Sequence, residues 1–329
     1  MCSSLQFFVP LGLLVALAAG AYNSRPEFGY RGMNGPDHWV DVLEYGTCAG
    51  KLQSPIDIQE HLLVPVRFPP LTFRGFHSFP DSSVLTNNGH TVMLEMKTRE
   101  FAAVSGGPLN GEYVFSQLHF HWGANDSLGS EDRINNHSFP MELHMVFYKL
   151  EYGDVPTAMR FKDGLAVFAV FYEVSDFDNM VYSEIVQHLD KVTQPHSKVQ
   201  LLTPLTLDSL LPSNKYHYYT YNGSLTTPPC SEVVIWLDFK EPIFLSRGQV
   251  AAFRKLRSPE GVLTDNFRPV QPLEGRTVYY NVGERPFTFR NSYEVHRSGS
   301  SARVAAVCTV ILGSLTAVLA EALSRPGSS

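Results

Sequence analysis

The chain has 329 residues, 44% of them hydrophobic and 18% charged, with a formal net charge of −6 and a pI near 6.0. That length suffices for one large or two small domains with a sizeable core, and the composition excludes a disordered chain. No concentrated basic stripe is present to neutralise phosphates, which excludes a dedicated nucleic-acid binder.

The chain opens on an apolar stretch over residues 5–19, LQFFVPLGLLVALAA, followed by Gly20 and Ala21. Ala19-Gly20-Ala21 are small, as signal peptidase requires, so residues 1–21 read as a signal peptide and the mature chain as starting near Tyr22. No Lys or Arg precedes the apolar run, leaving only the amino terminus as positive charge. The alternative, an uncleaved internal helix, conflicts with the rule that core helices carry a polar face.

From about residue 22 to 290 no linker, repeat or charge block divides the chain, which reads as one domain. YVFSQLHFHW, MELHMVFYKL, GLAVFAVFYEV and EVVIWLDF alternate or run apolar as strands do, between clusters of Gly, Pro, Asn and Asp. YSEIVQHLDKV and LSRGQVAAFRKL are the helical candidates. Strands dominate, and the helices are too few for repeated strand-helix-strand units. The expected fold is mainly β: a large, twisted, mostly antiparallel central sheet with short surface helices.

After a polar spacer, 291–303, comes Val304 to Ala320, VAAVCTVILGSLTAVLA, uninterrupted by charge. At 1.5 Å per residue it spans roughly 25 Å, short for a bilayer core of about 30 Å. Ser298, Gly299, Ser300 and Ser301 just upstream are small enough for glycolipid attachment, so the tail reads as a GPI signal or a single short transmembrane helix. A buried C-terminal helix would need a polar face.

Of four cysteines, Cys2 lies in the leader and Cys308 in the tail. Cys48 and Cys230 remain, as one intramolecular pair or as two separate buried thiols. Sequons occur at Asn125, Asn136 and Asn222; the first two sit in polar, loop-like sequence that suits glycosylation.

The stretch QLHFHW carries the strongest chemistry. In a strand, His119 and His121 project from one face with Gln117 a step behind, while Leu118 and Phe120 point into apolar packing. MELHMV places Glu142 and His144 on one face in the same way. Paired antiparallel, the two strands bring three imidazoles together, the ligand set of a catalytic zinc site with an open fourth position. Gln117 and Glu142 are placed to fix ring tautomers. Imidazoles also sit on sheets as ordinary hydrogen-bonding groups, so the pattern gains its force from this company.

GMNGPDHW, QSPIDI, NNGH, QLHFHWG, GSE, MELHMV, DGLAVF, YNGSLTTPPC and DNFRPVQPL occur in the order seen in alpha-class carbonic anhydrases, from Phe28 to about Tyr280. The chain resembles an extracellular, membrane-attached member of that family. The resemblance implies zinc dependence, reversible hydration of carbon dioxide to bicarbonate and a proton, and a Cys48–Cys230 disulfide. It implies zinc ligands His119, His121 and His144, oriented by Gln117, by the main chain of Asn266 and by Glu142. Thr226 would donate to Glu131 and orient a zinc-bound hydroxide. Thr227 and Tyr30 would order water. Val146, Val167, Leu225, Val234 and Trp236 would form the apolar wall for carbon dioxide, and His90 the proton shuttle.

Three residues depart from the family pattern: Asp132 and Phe147, where histidine is common, and Met93 in the cavity wall. Asp132 is expected either to approach Glu142, raising one carboxyl pKa by repulsion, or to turn toward solvent or Arg133. Two other classes of function fit less well. A displayed, acatalytic domain of this family would typically lack a zinc histidine, and a zincin-type hydrolase would carry His-Glu-x-x-His, which is absent. The expected partners are carbon dioxide, bicarbonate, water and, through the tail, a membrane, with no nucleic acid; the expected location is the extracellular side of the plasma membrane.

Overall fold

The computed structural model describes residues 28–283. The expected signal peptide, spacer and hydrophobic tail lie outside the described residues.

Ten strands form the main path of a twelve-stranded sheet. In chain order they are β1 (Val64–Val66), β2 (Ser82–Asn87), β3 (Val92–Lys97), β4 (Leu109–Trp122), β5 (Met141–Lys149), β6 (Leu165–Ser175), β7 (Lys198–Gln200), β8 (Tyr218–Gly223), β9 (Val234–Ser246) and β10 (Tyr279–Asn281). Their spatial order is β7-β2-β3-β4-β5-β6-β9-β8-β10-β1. Antiparallel pairs predominate, and β6–β9 and β10–β1 are parallel, so the sheet is mixed. Three short helices, α1 (Val155–Ala158), α2 (Ser183–His188) and α3 (Arg247–Phe253), decorate it. Ser246 and Gln249 close a capping box at the start of α3, satisfying amides that have no partner within the helix.

Central strands are buried on both faces, which explains their near-continuous apolar runs. Leu118, Phe120, Leu143, Met145, Phe147, Phe168 and Phe239 belong to the larger core. Val146, Val167, Ala169, Val234, Trp236, Tyr219 and Tyr221 belong to the second, with the opposite side-chain parity. The functional side chains share this second face.

One feature of β4 decides that placement. Phe115 pairs with Phe147, but Gln117 pairs with Val146, so Ser116 is an extra residue. Such a bulge moves later odd-numbered side chains to the other face. Tyr113 packs into the larger core, whereas Gln117, His119 and His121 face the site.

Before the sheet, short 3-10 turns run from Gly32 to Ala49. They bury Trp39 and Tyr45 against the Cys48–Cys230 disulfide. The cross-link joins this N-terminal segment to the loop between β8 and β9.

Candidate metal centre

Register brings the imidazoles together. His119 pairs with His144 across β4 and β5, and His121 pairs with Glu142. One ring nitrogen from each of His119, His121 and His144 lies within 4.8 Å of the others. The remaining ring nitrogens are occupied: His119 Nδ1 lies 2.9 Å from Gln117 Oε1, His121 Nδ1 2.7 Å from the Asn266 carbonyl, and His144 Nε2 2.6 Å from Glu142 Oε1. Each acceptor draws the ring proton to its side, leaving Nε2, Nε2 and Nδ1 unprotonated and facing one another.

Electrostatics favour the same state. Burial, then the charge of a neighbouring imidazole, holds His119 and His144 well below the usual histidine range. These rings are neutral at pH 7 and need lose no proton to bind a cation. Three convergent imidazole donors with fixed tautomers fit zinc.

Glu131 is buried beside them, its Oε2 3.4 Å from His121 Nε2 and 3.8 Å from His144 Nδ1. The Arg268 amide donates to its Oε1 at 2.7 Å. Burial raises the Glu131 carboxyl, opposed by His121, by a hydrogen bond from Thr226 and by Arg268. Glu142 accepts from the amides of Glu131 and Asp132 at 2.8 and 3.0 Å. Burial, followed by the charges of Asp132, Glu131 and Asp238, pushes its carboxyl up.

Val146, Val167, Val234 and Trp236 are buried together, with Leu225 packed against them. Trp236 meets the His144 ring edge-on, centroids 4.8 Å apart, and donates from Nε1 to the Ser224 carbonyl at 3.2 Å. Thr227 is half-buried in the loop that follows, its carbonyl accepting from the Cys230 amide at 2.8 Å. Tyr30 is half-buried, and burial, then Glu131, raises its phenol well above the usual value. His90 is half-buried outside the imidazole cluster; its ring stacks on Phe28 with centroids 3.9 Å apart, and its carbonyl accepts from Asn266 Nδ2.

Asp132 does not turn toward solvent or Arg133. It is fully buried, with Oδ1 accepting from the Ile56 amide at 2.7 Å and from the Tyr221 hydroxyl at 3.1 Å. Burial carries its carboxyl up to about 7, against the pull of those donors. Phe147 lies on the opposite face among Phe76, Phe115 and Phe168. Met93 is half-buried and paired in register with His119. Of the sequons, Asn125, Asn136 and Asn222 are all exposed, but Ser224 of the third is fully buried.

Several residues of this region escaped the sequence reading. Arg268 donates to Gln53, to the Ser54 carbonyl and to the Cys48 carbonyl, tying Glu131 to the disulfide region. Tyr221 and Asp238 were also missed, although Asp238 stands two residues from Trp236 in a strand, a carboxylate at site-facing parity.

With this geometry in place, the sequence comparison is decisive: residues 34–282 match the eukaryotic-type carbonic anhydrase family, and the chain belongs to it. It is thus an enzyme of the carbonic anhydrase class. It is similar to mouse carbonic anhydrase 7, 39% identical over 76% of this chain and 96% of the relative. Mouse carbonic anhydrase 15 is 38% identical over 74% of this chain and 79% of its own length. Human carbonic anhydrase 6 is 34% identical over 79% and 84% respectively.

Proposed function

We propose that this enzyme is a zinc-dependent carbonate dehydratase acting on the extracellular side of a membrane. Membership of the family supports hydration of carbon dioxide as the reaction. The observation that carries the zinc assignment is the convergence of three imidazole nitrogens whose distal nitrogens are all engaged.

His119, His121 and His144 would hold the ion, which would supply the Lewis acidity that makes water nucleophilic at neutral pH, the effect for which carbonic anhydrases are the standard example. Gln117, the Asn266 carbonyl and Glu142 keep the rings in the ligating tautomer. Thr226 neighbours Glu131; donating its only hydroxyl proton there, it would be left to accept from the nucleophile and so would orient the attacking lone pair. Val146, Val167, Leu225, Val234 and Trp236 give carbon dioxide an apolar resting place. Tyr30 and Thr227 order water at the wall, and His90, half-buried near the surface, receives the proton released on each turnover.

The leader, the disulfide and the sequons at Asn125 and Asn136 support export, and the C-terminal tail supports attachment by a glycolipid or a short spanning helix. Among the described residues no helix is long and apolar enough to cross a membrane.

The test is stopped-flow hydration of carbon dioxide by the purified full-length protein, stripped of zinc and then reloaded. Activity should vanish and return with the metal. A folded, zinc-loaded protein without activity would overturn the mechanism and make the chain a displayed binding domain. Release of cell-surface protein by a phosphatidylinositol-specific phospholipase would identify the glycolipid; retention would identify the spanning helix.

A further inference from the structure

The row of side chains that contains the imidazoles continues across the sheet. Met93, His119, His144, Ala169, Asp238 and Tyr219 are successive register partners through β3, β4, β5, β6, β9 and β8. Asp238 therefore lies two strands from His144, about 10 Å away on the same face. It is fully buried, and neither carboxyl oxygen has a hydrogen-bond partner among the described residues.

The surroundings offer little to a negative charge. Ala169 and Tyr219 flank Asp238 in register. The titratable groups whose charge reaches it are those of Asp132 from the loop before residue 133, Glu142 from β5, and Tyr219 and Tyr221 from β8. The cations of the neighbourhood are engaged elsewhere. Arg276 donates to the carbonyls of Gln53, Asn222, Pro272 and Leu273. Lys240, two residues along β9, pairs with Glu60.

A lone ionised carboxylate in such a place is far costlier than the neutral acid. Asp132 on the neighbouring loop has an amide and a hydroxyl aimed at its Oδ1; neither oxygen of Asp238 has a donor among the described residues. We propose that Asp238 is a buried acid that keeps its proton through the neutral range. It makes the wall behind the imidazoles a pH-sensitive element of the fold, because the folded chain holds there a proton that the unfolded chain releases.

The sign follows from proton counting. Above the usual aspartate pKa the unfolded chain gives up the Asp238 proton while the folded chain keeps it, so stability falls as pH rises. Asp238→Asn keeps the shape of the neutral acid and cannot ionise.

Two measurements on the full-length, zinc-loaded protein test this. In infrared difference spectra at neutral pH, wild type minus Asp238→Asn should show a carboxylic-acid carbonyl band. In thermal melts, the margin by which the variant melts above wild type should widen by about 5–10 °C between pH 5 and pH 7. Absence of the acid band would overturn the proposal. So would a variant that melts lower than wild type at both pH values, the signature of an ionised carboxylate bound to a cation, or one that matches it at both. If Asp238→Asn fails to fold, Asp238→Val, apolar like its register neighbour Ala169, takes its place in the infrared difference, where absence of the acid band would again overturn the proposal.

Discussion

Removing the Cys48–Cys230 cross-link by the double substitution Cys48→Ala and Cys230→Ala should destabilise the fold far more than it disturbs the metal centre. The bridge closes a loop with a sequence separation of 182 residues. In the chain-entropy treatment a loop of that size restricts the unfolded chain by about 5 kcal/mol. Alanine suits the buried sites, since both sulfurs lie in an apolar cluster with Trp39 and Tyr45. At roughly 2–4 °C per kcal/mol for a domain of this size, the melting temperature should fall by about 10–20 °C. The native loop retains other ties: Gln53 Nε2 donates to the Cys230 carbonyl at 3.2 Å, Arg268 to the Cys48 carbonyl at 3.1 Å, and Thr47 to the Pro229 carbonyl. Zinc content at room temperature should accordingly stay stoichiometric. Denaturant unfolding of zinc-saturated wild type and variant measures the difference. A loss under about 1 kcal/mol would refute the loop-entropy reasoning and mean that the unfolded chain is already restricted by residual structure.

Glu142→Ala removes the acceptor from His144 Nε2 and should weaken zinc binding by about 10–100-fold, read by competition with a chelator. Thr226→Val should lower kcat/KM by about 10–100-fold while leaving zinc content unchanged, because an orienting hydrogen bond to a charged group is worth about 1.5–3 kcal/mol. His90→Ala should lower kcat in dilute buffer, spare kcat/KM, and recover when imidazole is added; recovery without imidazole would place the shuttle elsewhere. Asp132, at about 7 in the fold against its usual 3.8, binds its proton more tightly when folded, so it erodes stability as pH rises from 3.8 to 7 and no further above that. Asp132→Asn should therefore gain stability progressively across that window, by at most about 4 kcal/mol, measured by unfolding at a series of pH values.

The imidazole cluster was legible because period-two alternation fixes which side chains share a face, and because His119, His121, Gln117, Glu142 and His144 keep one parity each. What alternation could not supply was the extra residue at Ser116, which reverses the facing of β4 along its length. A reader extending the pattern back from His119 would put Tyr113 and Phe115 in the site. Main-chain partners were invisible for a different reason: the Asn266 carbonyl and the Arg268 amide act through atoms that every residue carries, so only the family resemblance pointed to Asn266 and nothing pointed to Arg268. The position of Asp132 was foreseen only as alternatives, since its choice depends on Ile56 and Tyr221, distant in sequence and brought in by tertiary packing. The short 3-10 turns from Gly32 to Ala49 carry no long periodicity and left no sequence signal of their own.

The edge of the sheet sets a constraint on how this chain can be made. β1 is held in parallel by β10, and β10 also covers the otherwise open edge of β8. Val64–Val66 leaves the ribosome early, whereas Tyr279–Asn281 is the last of the described strands to emerge, so until then both edges present unpaired amides and carbonyls. The sheet can be completed only after synthesis of the described region ends. A nascent chain that stalls before Tyr279 would hold two adhesive edges open, which makes β10 the step at which newly made protein passes from a substrate for chaperones to a closed fold.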